Sequence, residues 1–334
     1  MEHNPKLTSS EIANLWSSYM SDSMNVCVVN HFLNIVEDKE IEEILKHSKM
    51  LSEGHLSSVS TIFQQEKIPI PQGYNNTDVV ENAPRIFSDI FFLRYLQMMG
   101  RDGSNLYGIA LGTSYRKDVK SFYLAALNES AKLYDRVTNL MVEKGILVRT
   151  PIISYPDKVE FIQDENFMAG YLTPHKRPLL SVEITHISNN IESNLIGGVL
   201  ITGFAQLAEN EEVKNYFQKG IKLSRKIISS LSEILSDDSI NAPFTWDSDI
   251  TNSTISPFSD KLMMGMILSL NSLSTGNISL GISTSMRSDI VAHYTSLMAQ
   301  IAKYTSSGAK LAIKNSWVEK PPHAVDRKKV QEKA

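Results

Sequence analysis

Ser114-Tyr115-Arg116-Lys117-Asp118-Val119 returns 171 residues later as Ser285-Met286-Arg287-Ser288-Asp289-Ile290. Reading outward at the same offset, Phe87-Ser88-Asp89 falls on Phe258-Ser259-Asp260, Tyr123 on Tyr294, and Pro151 on Pro322. Earlier in the chain the offset is 172: Glu11-Ile12 falls on Glu183-Ile184, Phe32 on Phe204, Glu37 on Glu209 and Pro71 on Pro243. The single-residue change lies between about residues 72 and 86. An ordered series of matches of this kind marks a duplicated domain, each copy having the usual size of one folding unit. The expected division is residues 1–165 and 166–334. The join, about 151–180, carries Pro151, Pro156, Pro174, Pro178 and Gly170, so one continuous helix cannot cross it.

Each copy reads as four helices. In the first, helix A is expected over about 9–36, opened by a Thr8-Ser-Ser-Glu11 capping box. Helix B spans about 39–66 behind an Asp38 N-cap, helix C about 84–112 with Pro84 in its first turn, and helix D about 115–144 stopped by Gly145. The second copy repeats this near 183–208, 210–237, 257–283 and 286–315. A–B and C–D have short turns and form antiparallel hairpins. Between B and C lies IPIPQGYNNTDVVENA, which extended reaches about 53 Å, while a helix of this length is about 42 Å. The loop can therefore run the length of the bundle, and its second-copy counterpart is NAPFTWDSDITNSTIS. The expected fold is all-α: a tandem duplication of a ferritin-like four-helix bundle with a long crossover between helices B and C.

Composition narrows the function classes. Apolar residues at 42% and charged residues at 21% exclude bulk disorder. A net charge of −4 argues against a broad nucleic-acid surface. Cys27, the single cysteine, excludes an intrachain disulfide and sits among valines as an inert core thiol. No basic leader with an apolar core opens the chain and no run of 18 apolar residues occurs, so neither a signal peptide nor a spanning helix is expected. The C-terminal PPHAVDRKKVQEKA is polar and is expected to fray.

A ferritin-like bundle invites a search for its di-metal chemistry, which needs glutamates and Glu-x-x-His pairs on facing helices. Only Glu183-Ile-Thr-His186 has that spacing, and it opens a first helix rather than a second or fourth. Asp289 and His293 are one turn apart, but the first copy has Asp118 and Phe122 there. Glu183, His186, Asp289 and His293 are thus weak metal candidates. No metal is expected, with iron or manganese as the alternative. His31 and His55 read as satisfied core or seam histidines. Walker, G-x-G-x-x-G, G-x-S-x-G and H-E-x-x-H patterns are absent, so no catalytic residue is assigned. Both copies share a polar set: Glu11/Glu183, Asp89/Asp260, Arg116/Arg287 and Asp118/Asp289. It reads as an ion-pair lattice, with Glu11 and Asp89 expected near one bundle end and Arg116 and Asp118 at the other. Met263, Met264 and Met266 read as core, and Lys222, Arg225 and Lys226 as a solvated face.

Several segments together are similar to one family: LTSSEIANLW, NAPRIFSDIFFL, SYRKDVKSFY, GILVRTPIISYPDKVEFI, PFSDKLMMGMI and WVEKPP. The set resembles the tandem family called domain of unknown function 3231, over about residues 7–330. The resemblance implies a ferritin-like fold, a likeness to spore coat protein F of endospore-forming bacteria, and no catalytic residues to carry over. The expected role is a non-enzymatic, spore-associated, coat-like structural or interaction protein. It would reside in the cytoplasm or on the spore, with other spore proteins as partners. The alternative is a ferritin-like metal-binding protein or metal-dependent oxidoreductase, and a third reading is a small molecule held in a bundle core.

Apolar residues on more than one stripe need a second burial surface. In the second copy Ile191, Leu195, Ile196, Val199, Leu200, Ile201 and Phe204 form such a band, with Gly197, Gly198 and Gly203 permitting close approach of another backbone. Val26, Cys27, Val28 and Val29 form the matching band in the first copy. The two copies are therefore expected to pack as a pseudo-symmetric pair.

Overall fold

The computed structural model describes residues 5–170, 176–243, 250–327 and 331. Pro174 of the join, Trp246 of the second crossover and Lys329-Val330, which the 171-residue offset sets against Lys158-Val159, lie outside the described residues. Eight α-helices are present among the described residues: α1 Ser9–Ile35, α2 Lys39–Gln65, α3 Asp89–Gly112, α4 Lys117–Glu143, α5 Ser181–Leu207, α6 Glu211–Asp237, α7 Asp260–Thr284 and α8 Ser288–Lys314. They form two four-helix bundles, α1–α4 and α5–α8. No helix among the described residues is long and apolar enough to cross a membrane.

Local chemistry sets the helix ends. Thr8 and Glu11 form the reciprocal capping box at α1. Asp38 Oδ1 accepts from the amides of Glu40 and Ile41 at the start of α2. Gly145 takes a left-handed φ of 67° just beyond α4. Helix α3 departs from expectation: Pro84 is not in its first turn. Residues 84–88 are not helical, and the helix begins at Asp89, where the Ser88 hydroxyl caps the Phe91 amide. The chain at Phe87 is committed to pairing with the other copy, which delays the helix.

The bundle ends also differ from the sequence reading. Glu11, at the start of α1, bonds the amides of Tyr115 and Arg116 before α4. Asp89, at the start of α3, bonds the amides of Glu37 and Asp38 between α1 and α2. Glu11 thus shares an end with Arg116 and Asp118, and Asp89 sits at the opposite end. The crossover starts where α2 finishes, which is the end where α1 began. Running the bundle length therefore delivers α3 beside the start of α2, not beside the start of α1. Helices α2 and α3 run parallel, as ferritin-like connectivity requires. Glu183 and Asp260 repeat the arrangement in the second bundle.

The two bundles pack through a shared apolar core. Phe32, Phe87 and Phe91 of the first copy belong to one buried cluster with Phe204, Phe258 and Met263 of the second. Val79 pairs with Phe258 and Phe87 with Ile250 as antiparallel bridges. Adding 171 to Val79 and Phe87 gives Ile250 and Phe258, so each bridge is the other's repeat equivalent. The hydrogen bonds obey the same rule: Val80 N–H donates to Pro257 O, and Thr251 N–H donates to Ile86 O, both at 2.8 Å. Contacts that exchange partners in this way define a local two-fold relation. Of the three glycines expected to admit the other copy, only Gly203 does so, and it meets a ring rather than backbone. A Cβ there would lie 2.7 Å from Phe87 Cζ. Gly198 faces Ser224 and Gly197 faces Leu270, both within the second bundle. Helix rotation places those two on the inner face of α5.

Candidate functional site

The shared polar set acts on helix termini. Glu11 is 1% exposed, and its carboxylate accepts from the amides of Thr8 (2.8 Å), Tyr115 (2.8 Å) and Arg116 (2.7 Å) and from the Thr8 hydroxyl (2.8 Å). Burial pushes this carboxyl up, but the amide donors outweigh it and hold it at about 2. One carboxylate thereby satisfies orphan donors at the starts of both α1 and α4. The buried Arg116 guanidinium makes a two-point pair with Asp118, both bonds 2.8 Å, and reaches Glu66 at the end of α2 at 2.6 Å. In the second bundle Glu183 bonds the amides of Leu180, Met286 and Arg287, and Arg177 grips both its oxygens at 2.8 Å. Arg287 pairs with Asp289 at 2.9 Å. Asp89 and Asp260 tie the opposite ends.

The same geometry bears on the metal candidates. Glu183 is occupied by Arg177, and Asp289 by Arg287 and Lys176. His293 Nε2 lies 3.1 Å from the Ser230 hydroxyl. Burial lowers the pKa of His186 and of His293, the latter against the pull of Asp289 and Glu233. Guanidinium and ammonium groups already neutralise the carboxylates that a cation would need, so these residues do not fit a di-metal centre. Among the described residues no three His, Cys, Asp or Glu side chains form a group that could hold a metal ion.

A second cluster was not singled out in the sequence. In the middle of the first bundle each helix contributes one group: Asp22 from α1, His55 from α2, Tyr107 from α3 and Glu129 from α4. His55 Nδ1 lies 3.2 Å from Asp22 Oδ1, and Nε2 lies 2.9 Å from Glu129 Oε2. The Tyr107 hydroxyl donates to Asp22 Oδ2 at 3.3 Å. Burial alone would lower the His55 pKa; hydrogen bonds and charge from Asp22 and Glu129 outweigh it and raise it. The carboxylates flank opposite ring nitrogens, so the imidazole separates them and the three do not converge on a common point. The arrangement favours the protonated ring and ties α1, α2 and α4 together. A signal did exist in the sequence. The aligned positions of the second copy are Asn194, Ile227, Ile278 and Gln300, so the carboxylates become amides where the histidine is lost.

His31 differs again. It lies between the bundles with its ring edge-on to Phe258, centroids 5.3 Å apart. Its Nε2 is buried with no partner among the described residues, so it is not the satisfied histidine expected. Burial holds its pKa at about 4.

These features define a tandem pair of ferritin-like bundles stitched at the helix ends and joined through their crossovers. The family model for protein of unknown function DUF3231 matches residues 1–159 and 167–330, and the chain belongs to that family. No curated protein matches. A solved structure, the "putative spore coat protein" of Bacillus halodurans C-125, is similar at 19% identity with a TM-score of 0.42, covering 45% of this chain and 98% of its own.

Proposed function

We propose that this chain is a non-enzymatic structural or interaction protein of the spore, in which two bundles form one rigid unit. The observation that carries the reading is the use made of the repeated charges. Glu11, Glu183, Asp89 and Asp260 each bond backbone amides at the start of another helix, and Arg116 and Arg287 are buried against the neighbouring aspartates. Such groups are spent on architecture. The linker supplies a surface for partners: Ile152, Tyr155, Val159 and Phe161 are 83%, 92%, 86% and 86% exposed. Apolar side chains exposed together in this way suit protein–protein contact. The association with spores rests on the family resemblance carried by the sequence segments.

Two measurements test this. In an endospore-forming host, a tagged chain is expected in the spore coat fraction, and recovery only from the growing cell's cytosol contradicts the assignment to the spore. Metal analysis of protein purified without chelators is expected to give less than one ion per chain. Two ions per bundle at core carboxylates would replace this reading with the metal-dependent one.

A further inference from the structure

The second bundle contains a cavity of about 70 Å³, several times the ~10–15 Å³ that a single water needs on this measure. Ile201, Ile267 and Ile301 form apolar walls, and Asn271 and Ser274 add polar groups from α7. Ser274 Oγ is buried with no hydrogen-bond partner among the described residues. The first bundle packs more closely at the equivalent place for a physical reason. The aligned positions there are Gly100 and Gly103, and a Cβ at Gly100 would come within 2.8 Å of the Tyr134 amide nitrogen. Helices α3 and α4 meet in that contact. Asn271 and Ser274 carry side chains that forbid such an approach between α7 and α8, and space remains.

One wall carries an ionisable group. Asp102, from α3 of the first bundle, also lines the cavity, and its side chain is 10% exposed. Its cationic partner is Arg101, whose Nε is 3.4 Å away. That guanidinium is shared: Nη1 binds Glu192 at 3.0 Å and Nη2 binds Ser193 Oγ at 3.1 Å. A nearly buried carboxylate with one long, shared ion pair is under-neutralised. An apolar chamber with unpaired hydroxyl capacity and a carboxylate on one wall has the chemistry of an amphipathic cation site.

We propose that this cavity is a binding site for a short-chain aliphatic ammonium ion, its charged head on Asp102 and its hydrocarbon body among Ile201, Ile267 and Ile301. Because Asp102 comes from the first bundle and the other walls from the second, occupancy couples the two repeats. Burial already pushes the Asp102 carboxyl up against the pull of Arg101, and a bound ammonium would reverse that direction.

The test is calorimetric titration of the full chain with n-butylammonium, n-butanol and butyrate at neutral pH. Saturable butylammonium binding is expected, roughly tenfold or more tighter than butanol, with butyrate silent and affinity falling by about tenfold in Asp102→Asn. Gly197→Leu provides a second variant. A Cβ at Gly197, which lines the cavity, meets only Leu270 Cδ1 at 3.9 Å, so the added side chain can enter the space. It is expected to abolish binding without lowering the melting temperature. Equal affinity for butanol and butylammonium, binding unchanged in either variant, or no saturable binding of any probe overturns the proposal.

Discussion

The ring of Phe87 fills the space that Gly203 leaves on α5, joining the first bundle to the second at a point where a methyl group would lie 2.7 Å from Phe87 Cζ. Phe87 is 1% exposed and stacks on Phe91 at 4.3 Å, so the ring has nowhere to retreat. The aligned residue in the first copy is His31, against Phe258. The two-fold relation is thus close in backbone and unequal in side chains.

Gly203→Ala tests this packing directly. In an open helix the change would stabilise by about 1 kcal/mol. Here overpacking is expected to dominate, giving a net loss of about 1–3 kcal/mol in urea unfolding. A gain in stability would show that the two halves do not press together at this point.

Glu11→Gln is expected to cost about 2–3 kcal/mol at pH 7, because an amide cannot accept four donors as a carboxylate does. The folded pKa of about 2 lies below the ordinary 4.5, so this stabilisation is complete above pH 4.5 and is lost as pH falls toward 2. The difference between wild type and variant should shrink across that window. A difference independent of pH would contradict the carboxylate's role at the helix starts.

The capping box, the short turns and the crossover length were legible because they depend on neighbouring residues and chain reach. The assignment of ends failed at Glu11 and Asp89 through the direction of the crossover, which is a property of three helices together. The His55 cluster was harder still. Asp22, Tyr107 and Glu129 lie on three other helices, and no local spacing joins them. Their trace was the exchange of Asp22 and Glu129 for Asn194 and Gln300 in the second copy. The start of α3 was misplaced because Pro84 suits a first helical turn locally, whereas Phe87 is held extended by a partner far along the chain.

His31 should make the protein sensitive to mild acid. Its folded pKa of about 4 lies below the ordinary 6.5, so the unfolded chain takes up the proton first and stability falls as pH drops from about 6.5 to 4. At pH 5 this amounts to about 2 kcal/mol relative to pH 7.5. In His31→Leu that part of the pH dependence should vanish. An unchanged slope between pH 5 and 7 would mean that His31 is solvated.

His55 should behave in the opposite sense. Its folded pKa is raised, so its stabilisation is present below pH 6.5 and is lost as pH rises through the folded value. Imidazole NMR should show a protonated ring above pH 6.5, with the midpoint moving down in Asp22→Asn. A midpoint that stays in place would separate Asp22 from the ring.

The claim that the repeats form one unit is tested most directly by dividing the chain in the linker. Residues 1–165 and 166–334 would be expressed separately and their thermal unfolding compared with that of the whole protein. The shared core of Phe32, Phe87, Phe204 and Phe258 predicts that each half alone melts well below the intact chain, or self-associates to cover the exposed rings. Two soluble monomers that retain the melting temperature of the full chain would contradict the paired architecture.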